Sequence, residues 1–360
     1  MPAKIFILAF VLVTFILSCG KNGSSDPITP PTVPDTPTVP VTTFKNPLLT
    51  SGPDPWVAQK DGFYYYTHTL GNKIAIWKTA KMDELYKASP VTVWNAQPNT
   101  TYSADIWAPE LHFLNNKWYL YFAADNNGNN STHRIYVLEN TSSDPTAGVW
   151  VMKGKLSDIT DKWAIDASVF TYNGTSYEIW SGWQGDVDGE QDIFIAKLAN
   201  PYTIGSQRVL IARPSNEWET KITSGINVMV NEGPEALINN SGKLFITYSA
   251  GGCWSDDYSL GLLSLKEGGD PMNASDWIKN PSPVFTKNTN GAYGPGHNGF
   301  FKSPDGTEDW ILYHANNTSG QGCGDARSPR MQKFVWKADG TPDFGSPVST
   351  GIAITKPSGE

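Results

Sequence analysis

Short runs of alternating apolar and polar residues recur along this chain, and each is followed by a tight turn and a second run rich in aromatic residues. The first unit reads DPWVAQKDGFYYYT from Asp54, the second APELHFLNNKWYLYF from Ala108, and the third DASVFTYNGTSYEIW from Asp166. Alternation with a period of two residues around a turn of Asn, Asp or Gly predicts a β-hairpin in each unit. No long run has the periodicity of an amphipathic helix.

Two further units complete the repeat. One reads GPEALINNSGKLFITY from Gly233, and the other begins as GHNGFF at Gly296 and returns as WILYH from Trp310. The five units start roughly 60 residues apart, which suits a four-stranded blade with generous loops. We therefore predict an all-β fold, a five-bladed β-propeller, over about residues 44–356. A β-sandwich is the alternative, but it does not explain five recurrences of one hairpin with the same turn chemistry.

A different pattern precedes the repeat. The apolar run Ile5–Leu17 is too short to cross a bilayer, which takes about 20 residues. It ends in ILSCG, so residues 1–19 are expected to be a lipoprotein signal peptide whose Cys19 is lipidated; a plain secretory signal is the alternative. Proline and threonine then dominate residues 20–43, which predicts an extended linker and places the folded catalytic domain at residues 44–360.

The composition narrows the class of protein. Of 360 residues, 17% are charged and 12% are aromatic, which is typical of extracellular all-β proteins. The net charge of −8 excludes nucleic acid as a partner, because no basic field is present to hold phosphate. Besides Cys19, the cysteines are Cys253 and Cys323, which predicts one disulfide in an exported domain. They follow the second strands of neighbouring units, so the bond would staple a rim loop.

Acidic residues open three of the five units: Asp54, Asp166 and Glu232, the last of which directly precedes Gly233. The innermost strands of a propeller run the same way along its channel, so we expect these carboxyls at one mouth. Each could instead cap a turn or pair with Lys or Arg. Clustered acids raise one another's pKa values and mark functional sites. Glycoside hydrolysis needs such a set: one carboxylic acid, one carboxylate to activate water, and a third to tune the acid.

Aromatic and acidic residues surround these openers. Trp107 precedes the second opener and Trp183 follows the third hairpin. Both are predicted platforms for a sugar, and packing between blades is the alternative for each. Glu110 and Glu235 lie two residues into their units and face away from the opening positions by strand alternation. We interpret these two glutamates as buried supports that bond neighbouring backbone, and not as catalysts.

The motifs of the repeat resemble those of glycoside hydrolase family 43. They are DPWV at Asp54, WAPE at Trp107, DASVF at Asp166, EGPE at Glu232, GHNGFF at Gly296 and, in the last blade, RMQKFVW at Arg330. Any one of these motifs is weak, but their order and spacing are specific. The resemblance implies that Asp54 is the general base, Asp166 the modulator of the acid's pKa, and Glu232 the general acid.

The resemblance also implies the substrate-binding residues and the cofactors. His297 matches the family's channel histidine, which sits beside a calcium ion in some members, so a structural calcium near His297 is an option while the chemistry itself requires no cofactor. An arginine of the last blade reaches the sugar in this family. We assign Arg330 to this role and keep Arg327 as its competitor, because the segment after Cys323 departs from the family pattern.

By this resemblance we expect an inverting, exo-acting α-L-arabinofuranosidase that acts on arabinose- or xylose-containing plant polysaccharides. Endo-arabinanase and β-xylosidase are the alternatives within the family, and the lack of a β-sandwich after the propeller favours the first activity. A non-catalytic sugar-binding lipoprotein is the alternative of another class, but it predicts the loss of an acid and all three are present. We expect a monomer, exported and lipid-anchored to a bacterial membrane, in the periplasm or on the cell surface.

Overall fold

The structure is a computed structural model that describes residues 42–221, 225–226 and 228–360. The predicted signal peptide with its Cys19, and nearly all of the predicted linker, lie outside the described residues. Within the described part, no helix is long and apolar enough to cross a membrane.

The described chain is built from β-strands, which confirms the prediction of an all-β fold. Its helical segments are two short 3₁₀ helices, Met82–Lys87 and Ala274–Asp276. The strands in chain order are β1 (Thr43–Phe44), β2 (Trp56–Lys60), β3 (Phe63–Thr67), β4 (Lys73–Thr79), β5 (Val91–Asn95), β6 (Ala104–Leu114), β7 (Lys117–Asn126), β8 (Asn129–Asn140), β9 (Val151–Leu156), β10 (Ala164–Tyr172), β11 (Thr175–Gly182), β12 (Glu190–Asn200), β13 (Thr203–Ile204), β14 (Val209–Ala212), β15 (Met229–Ile238), β16 (Leu244–Ala250), β17 (Ser259–Leu265), β18 (Trp277–Lys279), β19 (Tyr293–Lys302), β20 (Asp309–Asn316), β21 (Ser328–Trp336), β22 (Pro342–Asp343) and β23 (Ile354–Thr355).

Antiparallel pairing joins consecutive strands into four-stranded units. The sheets β2–β5, β6–β9 and β19–β22 are separate. A nine-stranded sheet holds two more units, β10–β11–β12–β14 and β15–β18, and a short parallel pairing of β12 with β15 connects them. The remaining strand of that sheet, β13, pairs with β12. Outside these units, β1 pairs with β23 near the two ends of the described chain.

The predicted hairpins form with the predicted turns. Lys60 pairs with Phe63 across Asp61 and Gly62, whose φ angles are 52° and 77°. The turns of the second and third units have the same form, with positive φ at both central residues of Asn115–Asn116 and Asn173–Gly174. Two positive φ angles are the requirement of a type I′ turn, which Asn, Asp and Gly meet more readily than other residues.

The start of every unit carries one left-handed residue. The φ angle is 55° at Asp54, 41° at Ala108, 56° at Asp166, 53° at Gly233 and 47° at His297. The pairing register shifts at the same place in β6, β10, β15 and β19, so the backbone bulges there. A bulge re-aims the side chain it carries. The repeat therefore changes the direction of the backbone at five equivalent points, and of the side chains at or next to them.

Hydrophobic clusters fill the spaces between successive units. Four of the large clusters in the described chain join the first unit to the second, the second to the third, the third to the fourth and the fourth to the fifth. A fifth large cluster contains Tyr66 of β3 and Trp310 of β20, so the last unit packs on the first. Full burial of a large apolar side chain contributes about 1.5–3 kcal/mol, so these interfaces hold the units in fixed positions.

Candidate active site

A cavity of about 380 Å³ opens where the first strands of the units begin, and all five units contribute to its wall. It brings together the three predicted acids with predicted sugar-binding residues and with the two cysteines. The lining residues are Asp54, Thr69, Trp107, Asn130, Trp163, Ile165, Asp166, Asp188, Gln191, Val228, Glu232, Cys253, Trp254, His297, Cys323 and Arg327.

Left-handed backbone positions bring the acids to this cavity. Asp54 and Asp166 occupy such positions themselves, whereas Glu232 directly precedes the left-handed Gly233. The amide of Gly233 donates a hydrogen bond of 3.0 Å to Asp166 Oδ2, which links the third unit to the fourth. A Cβ on Gly233 would stand 3.1 Å from the His297 ring, so both the backbone angle and the close approach require glycine here.

Asp54 is the most heavily bonded of the three acids. Arg327 Nη1 donates to its Oδ1 at 2.7 Å, and the hydroxyl of Thr69 donates to its Oδ2 at 2.8 Å. The Nδ1 atoms of His297 and His314 lie 3.4 and 3.5 Å from Oδ1. Burial by itself raises the pKa of Asp54, but the charge of Arg327, followed by that of His297 and the hydrogen bond from Thr69, outweighs it and holds the pKa of this carboxyl well below its ordinary value.

Asp166 and Glu232 have the opposite character. Burial is the main cause that raises the pKa of Asp166 to about 7; the charges of Glu232 and Asp54 add to it, and His297 opposes it. Burial also raises the pKa of Glu232, against a hydrogen bond from Tyr258 and the charge of His297. The site therefore holds an ionised carboxylate beside a pair of carboxyls that retains a proton near neutral pH.

His297 lies among the three acids and has a raised pKa. Burial lowers its pKa, but the carboxylates of Asp54, Asp166 and Glu232 outweigh that effect and the net pKa is raised. Its backbone amide donates to Ser249 Oγ at 2.8 Å, which fixes the start of the bulge. An imidazolium at this point offsets part of the negative charge of the three acids.

His314 differs from His297 in its charge state. Its Nδ1 accepts a hydrogen bond of 3.0 Å from the backbone amide of Asp54, so that nitrogen carries no proton. Burial, together with the charges of Arg327 and His297, lowers the pKa of His314 well below the ordinary value. His314 is thus a neutral ring that anchors the backbone of Asp54.

Tyr258 holds Glu232 from the other side. Its hydroxyl donates to Glu232 Oε1 at 2.6 Å, and its ring stacks on His314 with centroids 5.8 Å apart and planes 6° from parallel. The stacked pair therefore connects the backbone of Asp54 to the carboxyl of Glu232.

The aromatic wall consists of two stacked pairs. Trp107 lines the cavity and stacks on the buried His133 at 4.1 Å. Trp163 lines the cavity and stacks on Trp183 at 4.8 Å, with planes 9° apart. Both rings of this pair are buried, and Trp183 does not line the cavity. Of the two predicted platforms, the structure brings Trp107 to the site, while Trp163 stands in front of Trp183.

Arg327, and not Arg330, reaches the cavity. Arg330 lies inside β21, fully buried, and its Nη2 donates to Asn317 Oδ1 at 2.6 Å. Arg327 directly precedes β21, where the strand meets the mouth, and its guanidinium contacts Asp54. The assignment of Arg330 to the sugar therefore has no support in its position, because its side chain is enclosed within its own unit.

Glu110 and Glu235 lie buried near the three acids and do not line the cavity. Ser168 Oγ donates to Glu235 at 3.1 Å, and His112 Nε2 lies 2.8 Å from Glu110. These contacts are with side chains and not with the backbone groups that we expected. Burial, and next the charge of Glu110, raises the pKa of Glu235 well above its ordinary value, so Glu235 carries a proton.

Cys253 and Cys323 form a disulfide, and both line the cavity. They connect the loop after β16 to the loop after β20, which belong to the fourth and fifth units. A bond between neighbouring units at the rim is the arrangement that the sequence predicted.

The surroundings of His297 do not fit a calcium ion. Among the residues that the structure describes, no group of three or more His, Cys, Asp or Glu side chains could hold a metal ion. His297 Nδ1 and Arg327 Nη1 lie 3.4 and 2.7 Å from the same oxygen of Asp54. A calcium ion would meet the guanidinium of Arg327 beside this carboxylate, so the calcium near His297 that the resemblance allowed is not supported.

Thr69, Trp163 and Tyr258 belong to the site and were not predicted from the sequence. An aromatic residue stands shortly before the left-handed position in both the second and third units, and that repeat could have identified Trp163. Thr69 and Tyr258 lie in loops without a repeated pattern. Their contacts with Asp54 and Glu232 depend on side-chain positions that spacing along the chain does not reveal.

The chain matches the family profile described as glycosyl hydrolases family 43 over residues 44–342. It is 39% identical over 324 residues to the extracellular exo-α-(1→5)-L-arabinofuranosidase of Streptomyces avermitilis, covering 88% of this chain and 66% of that protein. It is 35% identical to α-L-arabinofuranosidase 43 of Humicola insolens, covering 87% of this chain and 65% of that protein. The chain thus spans just under two thirds of the length of these two relatives. It is also 37% identical over 276 residues to the extracellular exo-α-(1→5)-L-arabinofuranosidase of Streptomyces chartreusis, covering 76% of this chain and 82% of that protein.

A solved structure is also similar. The crystal structure of α-L-arabinofuranosidase from Lactobacillus brevis superposes with a TM-score of 0.80 and 35% sequence identity, covering 86% of this chain and 98% of that one.

Proposed function

Because this chain belongs to glycosyl hydrolases family 43, we propose that it removes terminal α-L-arabinofuranosyl residues by hydrolysis with inversion at the anomeric carbon. One observation carries the proposal: three carboxyls share one cavity and their surroundings push their pKa values apart, lowering that of Asp54 and raising those of Asp166 and Glu232. General acid and general base catalysis at one glycosidic bond needs this division of charge. The names of the relatives, two of them exo-α-L-arabinofuranosidases, support the choice of sugar and of exo action.

We also propose that the five units close into a five-bladed β-propeller. The cluster that packs the last unit on the first supports this closure. So do the pairing of β1 with β23 and the hydrogen bond of 2.8 Å from the Tyr64 hydroxyl to the Lys302 carbonyl, which crosses the same boundary.

Asp54 acts as the general base. As water attacks the anomeric carbon, the carboxylate of Asp54 accepts a proton from that water, and the bond from carbon to the leaving oxygen breaks. Arg327 and Thr69 fix the orientation of the carboxylate and keep it ionised. A single displacement of this kind inverts the configuration.

Glu232 acts as the general acid and donates its proton to the departing oxygen. Asp166 stands beside it as a second group of raised pKa, and each raises the cost of ionising the other. The same carboxyl accepts the Gly233 amide and so fixes the backbone next to Glu232. Asp166 therefore both orients the acid and helps to keep it protonated.

The shape of the cavity favours a terminal sugar. Rim residues Asp188, Gln191 and Trp254 stand around the acids, and the disulfide adds to the wall. A volume of about 380 Å³ is at the lower end for ligand pockets, which suits a small unit better than an extended chain. Trp107 and Trp163 offer apolar ring faces to a neutral sugar.

We propose that the protein is exported and anchored by lipid at Cys19, as a monomer on an extended linker. The lipobox-like sequence around Cys19 supports the anchor, and the names of two relatives, which call them extracellular, support export. Incorporation of labelled fatty acid into the parent chain but not into Cys19→Ser tests the anchor. Light scattering of detergent-solubilised protein tests the monomer.

The activity is tested with 4-nitrophenyl α-L-arabinofuranoside beside the β-D-xylopyranoside, and with linear α-1,5-arabinan. NMR follows the anomer of the first product. Release of arabinose with inverted configuration is the expected result. Preferential release of xylose would indicate a β-xylosidase, and long oligosaccharides from arabinan would indicate endo action. Sugar binding without hydrolysis of any substrate would indicate that the protein binds carbohydrate and is not an enzyme.

A further inference from the structure

We propose that the Cys253–Cys323 disulfide is a positioning element for catalysis, because it ties together the two loops that hold the acid and the base. This inference rests on the proposed hydrolase activity. Both cysteines line the cavity, and each is followed within five residues by a side chain that contacts one of the acids.

The first loop runs from the end of β16 to the start of β17 and contains Cys253. It ends at Tyr258, five residues beyond the cysteine, and Tyr258 donates to Glu232 at 2.6 Å. The ring of Tyr258 is fully buried. A movement of this loop would therefore lengthen or break the hydrogen bond to the acid.

The second loop runs from the end of β20 to the start of β21 and contains Cys323. It ends at Arg327, four residues beyond the cysteine, and Arg327 donates to Asp54 at 2.7 Å. The carbonyl of Arg327 also accepts the amide of Gly52 at 2.9 Å, so the same loop holds the backbone that leads into Asp54.

The disulfide is the covalent link between these loops, and the polar links that join them are few. Asp256, which is half-buried, accepts from the hydroxyl of Ser319 and from the amide of Gly320, and both donors are exposed. Exposed hydrogen bonds to one carboxylate contribute little net rigidity in water. The bond from Cys253 to Cys323 thus sets the distance between the loop that holds the acid and the loop that holds the base.

Loss of the disulfide has a defined expected signature. Tyr258 lowers the pKa of Glu232, and Arg327 lowers the pKa of Asp54. When both contacts loosen, both pKa values rise. The acidic limb of the rate profile requires ionised Asp54 and the alkaline limb requires protonated Glu232, so both limbs move to higher pH.

The full chain and its Cys253→Ser/Cys323→Ser double variant are compared on α-1,5-arabinan oligomers. We expect kcat to fall about 10- to 100-fold, as for small misplacements of catalytic groups, with KM changed less than threefold and both limbs of the pH profile shifted upward. Reduction of the folded parent by a thiol should reproduce this change, and reoxidation should reverse it. The double variant, which keeps Cys19, should not respond to thiol.

Asp256→Ala is the matched control, since it removes both side-chain acceptors of the polar link between the same loops but leaves the disulfide; its kcat should stay within twofold of the parent. Hydrogen exchange supplies a readout that does not need activity. Removal of the disulfide should speed exchange in the loops and also at the segments that contain Asp54 and Glu232.

An oxidised parent without activity on any arabinoside would refute the proposed function, and the exchange pattern would still decide the role of the disulfide. A double variant with the parent's kcat, pH profile and exchange at Asp54 and Glu232 would overturn the positioning role. So would faster exchange confined to the two loops.

Discussion

Arg327 donates a hydrogen bond of 2.7 Å to the carboxylate of Asp54, from a point 273 residues further along the chain. This contact joins the last unit to the first at the floor of the cavity. It also decides the charge state of Asp54, because burial alone would favour the neutral acid. A guanidinium at this point therefore performs two tasks: it orients the base and it keeps the base ionised.

Replacement of Arg327 by Gln should lower kcat/KM about 100-fold, since the base loses its fixed orientation. The pKa of Asp54 should rise, so the acidic limb of the pH profile should move to higher pH. Steady-state kinetics between pH 3 and 9 measure both effects. Arg213→Gln, which breaks an exposed ion pair with Glu190, is the control and should change neither. An unshifted acidic limb in Arg327→Gln would remove Arg327 from this role.

Substitutions of the acid and of the base should differ in their dependence on the leaving group. Glu232→Gln should lose most activity on arabinan, whose leaving alcohol needs a proton, and far less on an activated aryl arabinoside. Asp54→Asn should be inactive on both substrates, because no leaving group replaces the activation of water. Equal losses on the two substrates for Glu232→Gln would contradict its assignment as the acid.

Tyr258→Phe should move the alkaline limb alone. The hydroxyl of Tyr258 stabilises ionised Glu232, so its removal raises the pKa of Glu232 and extends activity to higher pH. We expect kcat at the optimum to fall about tenfold, since the carboxyl also loses its orientation. Tyr86→Phe alters an exposed ring and should match the parent. A shift of the acidic limb instead would show that Tyr258 affects the pKa of the base, Asp54, and not that of Glu232.

Trp163 and Trp183 are about equally buried, but only Trp163 lines the cavity. Both substitutions by Ala should therefore lower the free energy of unfolding by about 3–5 kcal/mol, as is usual for a buried Trp. Trp163→Ala should in addition raise KM about tenfold, which corresponds to about 1.4 kcal/mol of binding, whereas Trp183→Ala should change KM much less. Kinetics and chemical denaturation of both variants check this. A larger rise in KM for Trp183→Ala would reverse the two roles.

Glu235→Gln should become more stable relative to the parent as pH rises. The folded parent keeps a proton on Glu235, while the unfolded chain releases it above an ordinary pKa of about 4.3. The stability of the parent therefore falls with rising pH through this group, and a neutral amide has no such dependence. Thermal unfolding at pH 5, 6.5 and 8 measures the difference. The exposed Glu217→Gln should run parallel to the parent, and a parallel Glu235→Gln would show that Glu235 is ionised.

The repeated hairpin explains how much of the fold could be predicted. Its turn residues and alternation recur in every unit, so the strands, the two-residue turns and the meeting of Asp54, Asp166 and Glu232 were accessible from spacing alone. The disulfide was accessible for the same reason, since Cys253 and Cys323 occupy corresponding places in neighbouring units.

The repeat does not predict the positions of the remaining site residues. Arg327 and Arg330 differ by three residues, and only the start of β21 at Ser328 decides which of them meets the mouth. Trp163 and Trp183 stack on each other, and which ring faces the cavity depends on the packing between units. The charge states of His297 and His314 depend on which carboxylates surround each ring, and no local pattern encodes that.

The left-handed backbone at Asp54 and Asp166 limits how these residues can be studied by mutagenesis. Asn tolerates that conformation about as well as Asp, whereas Ala adopts it only at a cost in strain, as Ala108 does at the equivalent position of the second unit. An alanine substitution at Asp54 or Asp166 would therefore remove a carboxylate and strain the backbone at the same time. Part of the measured loss of activity would come from that strain and not from the missing carboxylate. Glu232, one residue before the special position, carries no such penalty, so identical alanine substitutions at these three acids would not be comparable experiments.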